Sequence, residues 1–163
     1  RIKDHSTGDV VVDFYHRFRE DIKNMKDMVF NAFRFSISWP RVIPSGKRRR
    51  GVNEEGIEFY NTVINETIAQ GDNFLWPNSF YYYFSLDTPQ AVEDNYGGFL
   101  SLYREDIREY ADIREYADLV FERFGDRVKF WITFNEPWSL SGFSYDQGVF
   151  APGRCSSWVI FGY

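Results

Sequence analysis

Three times along this chain a stretch with helical spacing of apolar residues precedes a short, aromatic-rich run that favours extended backbone, and this alternation limits the possible folds most. Residues 15–28 carry Phe14, Phe18, Ile22 and Met25 on one stripe, with Arg17, Glu20, Lys23 and Asp27 elsewhere, which predicts an amphipathic helix. Residues 32–39 then alternate bulky apolar with polar side chains as far as Pro40 and read as a strand. After a turn-rich stretch over 40–51, Asn53 is placed to cap a second helix that runs to about Gln70 and stops at Gly71, with Ile57, Tyr60, Ile64 and Ile68 at helical spacing. A second strand is expected within 80–86, closed by Asp87-Thr88-Pro89, and Gly97-Gly98 mark a turn. A third helix over about 102–124, ended by Gly125, leads into a third strand at 128–134. Helix and strand in strict alternation predict an α/β fold with βαβ units and a parallel sheet.

With 163 residues, 44% hydrophobic and 26% charged, the chain has the composition of one globular domain. Aromatic residues reach 20%, enough for a heavy core or for surfaces that stack flat apolar faces such as those of sugars. A net charge of -5 gives no electrostatic reason to expect nucleic acid or an acidic membrane surface. The basic run Lys47-Arg48-Arg49-Arg50 follows Pro44-Ser45-Gly46 and reads as a solvated loop. No apolar run approaches the roughly 20 residues that span a bilayer. The N-terminus shows no signal peptide, but the chain begins without Met and reads as an internal fragment, so missing targeting signals carry little weight. His5 and His16 lack metal-ligand spacing to a second His or to Cys155, so no metal or cofactor is expected. Cys155 stands alone, either as a free thiol or as half of a disulfide. Asn65-Glu66-Thr67 is a glycosylation sequon whose helical setting argues against occupancy.

The hexapeptide DIREYA occurs at 106–111 and again at 112–117. Six residues rotate a helix by about 600°, so the second copy faces a different direction from the first, and one copy is out of place against the core.

The third strand ends in Asn135-Glu136-Pro137. Catalytic groups in parallel α/β folds project from the carboxyl ends of strands, and Pro137 cannot donate to a ladder. Alternation would put Asn135 and Glu136 on opposite faces unless the strand bends there. A carboxyl against Trp131, Phe134 and Trp138 would be partly desolvated and suited to act as a general acid, with an exposed glutamate in a turn as the simpler alternative.

Thr133-Phe134-Asn135-Glu136-Pro137 resembles the T-x-N-E-P motif of the family 1 glycoside hydrolases, the (β/α)8 β-glucosidases. Further stretches agree in order: RFSISWPRVIPSG at 34–46, GVNEEGIEFYNTVINE at 51–66, DTPQAVEDNYGGFLS at 87–101, FGDRVKFWITFNEPW at 124–138 and FAPGRCS at 150–156, the last four similar to plant members in particular. The resemblance implies part of a TIM barrel, about strands two to four, with residues 1–163 as a partial catalytic domain. It implies a retaining β-glucosidase acting on small-molecule β-glucosides, with Glu136 as acid/base, Asn135 on the sugar 2-hydroxyl, Arg34 beside the nucleophile and Trp138 near the aglycone entrance. It further implies a location in the secretory pathway or a plastid, and a disulfide partner for Cys155 beyond the end of this chain.

Three positions depart from the family pattern. The family's nucleophile sits in a T-E-N-G motif that does not occur here, so this segment supplies one of the two carboxyls. Ser85 and Leu86 stand where F-H-W-D is usual, which removes or moves a sugar contact. Val29 replaces a helix-stopping Gly, which would be strained if the chain turns through positive φ. A thioglucosidase would typically carry Gln at position 136, which the retained Glu136 argues against. A degenerate, non-catalytic relative that at most binds sugars is the alternative from another class, favoured by Ser85 and the duplication.

Overall fold

The computed structural model describes residues 12–30, 32–70, 80–82, 89–96, 107–132 and 137–149. The chain forms two compact units, one of residues 14–133 and one that joins 1–13 to 134–163.

In the larger unit α1 spans Phe14–Asp27 and turns its predicted stripe to the core, with Phe18 and Ile22 buried and Phe14 and Met25 packed against them. Its end is a Schellman turn: the Phe30 N–H donates to Met25 O at 3.0 Å and the Val29 N–H to Lys26 O at 2.9 Å. This closure needs a left-handed residue, and Val29 supplies it at φ 58°. A β-branched side chain there costs roughly 1–2 kcal/mol, so the strain expected from the missing glycine is present.

Three short strands, β1 (Phe33–Arg34), β2 (Phe80–Tyr82) and β3 (Phe130–Trp131), form a parallel sheet in the order β1-β2-β3. Arg34 is level with Tyr81, and Tyr81 with Phe130. The ladders are shorter than the expected strands, yet the alternation outlasts them. Phe33 and Phe35 are partly buried against the core and Ile37 is fully buried, whereas Arg34 and Ser36 are exposed.

Trp39, expected to end the strand, instead opens a one-turn helix, α2 (Trp39–Val42), because Pro40 fits the first turn of a helix without needing a donor. The polypeptide then bends at Gly46, which combines φ 72° with a lack of room: a Cβ there would stand 2.5 Å from Val92 Cγ2. Val92 belongs to α4 (Gln90–Tyr96), a helix that the sequence pattern did not reveal.

Helix α3 (Glu54–Ala69) buries Ile57, Tyr60, Val63, Ile64 and Thr67, while Ile68, expected on the same stripe, is exposed. Each fully buried aliphatic side chain contributes about 1.5–3 kcal/mol. Asn53 occupies the cap position but does not cap through its side chain; its Nδ2 donates to Arg41 O at 2.9 Å and ties α3 to α2. Gly56 permits that closeness, since a Cβ there would meet the same carbonyl oxygen at 2.5 Å. Tyr60 completes the join by accepting the Ser38 N–H at 2.9 Å.

Helix α5 (Ile107–Phe124) carries the second copy of the repeat against the core. In the second copy Tyr116 is buried, stacks on Trp39 at 5.4 Å and donates its hydroxyl to Ile37 O. The side chains of the first copy lie outside the described residues. The second copy also corrects the reading of the basic run as a solvated loop. Lys47 pairs with buried Asp112 at 3.8 Å, the Arg48 N–H donates to Glu115 at 3.0 Å, and the Arg48 guanidinium meets Glu122 at 2.6 Å. Arg49 and Arg50 alone keep the exposed character expected of all four. Val128 is likewise not the start of a strand: its N–H returns to Phe124 O at 2.8 Å and extends the helix end by a turn.

The smaller unit is described over 12–13 and 137–149. Pro137 opens α6 (Pro137–Ser139), and a π-helical stretch over Leu140–Asp146 follows, with the Gln147 N–H on Gly142 O at 2.8 Å.

Candidate active site

In a parallel sheet, residues level with one another on neighbouring strands point to the same face. Phe33 on β1 and Trp131 on β3 turn to the helices: Phe33 lies 6.2 Å from the Phe14 ring, and Trp131 meets Phe121 edge-on at 4.7 Å. Trp131 is fixed further by its indole N–H, which donates to Val128 O at 3.2 Å. Arg34 and Phe130, one position along from each, therefore lie on the opposite face, and both are exposed.

Of the predicted site residues, Arg34 is thus on the sheet face turned away from α1 and α5. Phe130 shares its level and face. Sequence reading did not single it out, although the same alternation that placed Arg34 would have found it. Asn135 and Glu136 lie outside the described residues, as do Ser85, Leu86, Cys155, His5, Gly71 and the Gly97-Gly98 turn. What is described around them is the end of the β3 ladder at Trp131 and the start of α6 at Pro137, so the chain leaves extended pairing and enters a helix within a few residues. Trp138 in α6 is 80% exposed and presents an indole to solvent. A flat apolar ring so displayed can stack on another flat apolar face.

Among the described residues of the three strands, Arg34 carries a charge. The groups with displaced titration lie elsewhere, on outer helices and turns. The Asp126 carboxyl is held below its usual range chiefly by its hydrogen bond from Arg127, and the Lys23 amine is raised by its bond to Asp27. Among the described residues no three His, Cys, Asp or Glu side chains gather as a metal site. No helix among them is long and apolar enough to cross a membrane. His16 is exposed and packs edge-on against Tyr15.

Comparison with known proteins gives this geometry a context. The family model for Glycosyl hydrolase family 1 matches residues 1–161. A cyanogenic β-glucosidase of Trifolium repens is 54% identical over 160 residues, which is 98% of this chain and 35% of that protein. The peroxisomal β-glucosidase 26 of Arabidopsis thaliana is 57% identical, again over 98% of this chain but 27% of its own length. A rice β-glucosidase mutant, solved in covalent complex with Glc, superposes with a TM-score of 0.84 at 43% identity, covering 97% of this chain and 30% of that one. The chain therefore spans about a third of these relatives, and the three-stranded sheet with its outer helices is part of a (β/α)8 barrel.

Proposed function

The chain belongs to glycosyl hydrolase family 1, and from that premise we propose that the protein containing it is a retaining β-glucosidase. It hydrolyses O-linked β-D-glucosides of plant secondary metabolites by double displacement. The 163 residues form one part of its catalytic domain and are inactive alone.

The observation that carries this reading is the sequence Thr133-Phe134-Asn135-Glu136-Pro137 directly after the carboxyl end of β3, in a parallel sheet that bears Arg34 on its face away from α1 and α5. In the first step the Glu136 carboxylic acid gives its proton to the glycosidic oxygen as the C1–O bond breaks. A second carboxylate, outside this chain, forms the new bond to C1. In the second step the Glu136 carboxylate takes a proton from water as that water attacks C1 and releases glucose. Arg34 keeps the second carboxylate ionised, Asn135 holds the sugar 2-hydroxyl, and Trp138 stacks on the aglycone. A relative whose printed name specifies a cyanogenic β-glucosidase supports an O-glucoside of a plant metabolite as the substrate class.

Glu136→Gln in the full-length protein tests this. Its kcat on an alkyl or phenyl β-glucoside is expected to fall by about 10²–10⁴-fold, the usual worth of a positioned acid. A dinitrophenyl leaving group needs no proton and should lose far less in the glycosylation step. Equal losses of kcat/KM, which reports the glycosylation step, on both substrates, or none on either, would overturn the assignment. The second reading, a sugar-binding relative without turnover, is favoured by Ser85 in place of the usual histidine. Glucoside turnover by the full-length protein removes it.

A further inference from the structure

The sequon Asn65-Glu66-Thr67 lies on α3 within the larger unit. Its helical setting, which argued against occupancy, is a property of the folded protein, whereas glycan transfer acts on the extended chain before folding. The folded structure has to satisfy only one condition: the amide nitrogen that would carry the sugar must face open solvent. Asn65 is exposed on α3, on the side away from the buried row of Tyr60, Val63, Ile64 and Thr67.

Arg127 fixes which way that amide points. Its Nη1 donates to Asn65 Oδ1 at 2.8 Å, and its Nη2 donates to Asn61 Oδ1 at 2.8 Å and to Arg123 O at 2.9 Å. A guanidinium has donors only, so the amide atom facing it must be the oxygen. The Asn65 nitrogen is thereby turned to the other side, where no acceptor takes it among the described residues. The other sequon residues are already engaged within the protein: Glu66 accepts from Arg19 at 3.1 Å, and the Thr67 hydroxyl donates to Val63 O at 2.7 Å. A glycan on Asn65 would disturb none of these bonds, and the guanidinium would still grip its oxygen.

We propose that Asn65 is an N-glycosylation site, its glycan projecting from the outer face of α3 while Arg127 orients the linking amide. The glycan is of the class transferred in the endoplasmic reticulum to Asn-x-Thr, and it places the protein on the secretory route.

The test is to express the full-length protein through a eukaryotic secretory pathway, recover it from the secreted fraction, and map the peptide spanning Asn65 after peptide-N-glycosidase treatment. The expected result is Asn65 converted to Asp, with a gel-mobility shift that Asn65→Gln removes and that the separate variant Thr67→Ser, which keeps the sequon, retains. Arg127→Ala should leave occupancy unchanged, because the sequon is read before the helix forms. Secreted protein with unmodified Asn65 would overturn the proposal, as would retention of the peptide signature in Asn65→Gln. Asn65 lies outside the proposed catalytic machinery, so glucoside turnover by Asn65→Gln should match the parent and is read separately.

Discussion

The two faces of the sheet are built to different rules. Toward the helices, Phe33, Phe35, Ile37 and Trp131 fill space against α1, α3 and α5, and hydrogen bonds accepted by Tyr60 and donated by Asn53 and Tyr116 stitch the loop after β1 into place. On the other face Arg34 and Phe130 stand exposed, and the chain after β3 leads to the Asn-Glu-Pro tripeptide. The helix-facing side is where apolar burial contributes stability. The opposite side is where the proposed function puts the polar chemistry, at the carboxyl ends of the strands.

Substitutions on the two sides should therefore separate stability from turnover in the full-length protein. The largest stability effect is expected from Phe124→Ala, whose ring is completely buried. The loss of about 3–5 kcal/mol should appear as a lowered denaturant midpoint. Tyr116→Phe keeps the stack on Trp39 but leaves the Ile37 carbonyl without its hydroxyl donor. About 1–3 kcal/mol should be lost, measured the same way. Val29→Gly should act in the opposite direction, raising stability by about 1 kcal/mol through relief of the left-handed valine. Arg34→Ala should change the midpoint least, by under about 1 kcal/mol, because its side chain is exposed on the face away from the helices. Its kcat/KM should nonetheless fall about 10²-fold, as when one electrostatic contact at a reacting centre is removed. If Arg34→Ala destabilises as much as Phe124→Ala while turnover survives, the contrast between the two faces is broken.

The helices were legible because their signals are local. The apolar stripe of α1 and the glutamate-rich start of α3 after Asn53 mark elements to within a residue or two of their observed ends. The strands were legible in order and direction but not in length, because a ladder is set by neighbours distant in sequence. Among the described residues β1 and β3 each pair on one side only. Helices α2 and α4 escaped notice because one needs Pro40 read as a helix starter and the other is seven residues long. The docking of Lys47 and Arg48 was invisible because their partners Asp112, Glu115 and Glu122 lie more than sixty residues away. At the candidate site, Arg34 was identified from the family resemblance, and alternation independently puts it on the face away from α1 and α5. Phe130 was missed because its aromatic type suggests a core residue, although alternation along the strand places it on the face of Arg34.

The central claim is that Glu136 passes a proton in both steps of a retaining mechanism. The most direct measurement is azide rescue of Glu136→Ala in the full-length protein, using a dinitrophenyl β-glucoside so that the glucosyl-enzyme forms without an acid. Azide needs no general base, so it should attack C1 as the enzyme carboxylate departs, restore the rate, and give β-glucosyl azide, identifiable by the coupling constant of its anomeric proton. Absence of rescue, or an α-configured azide, would contradict the account.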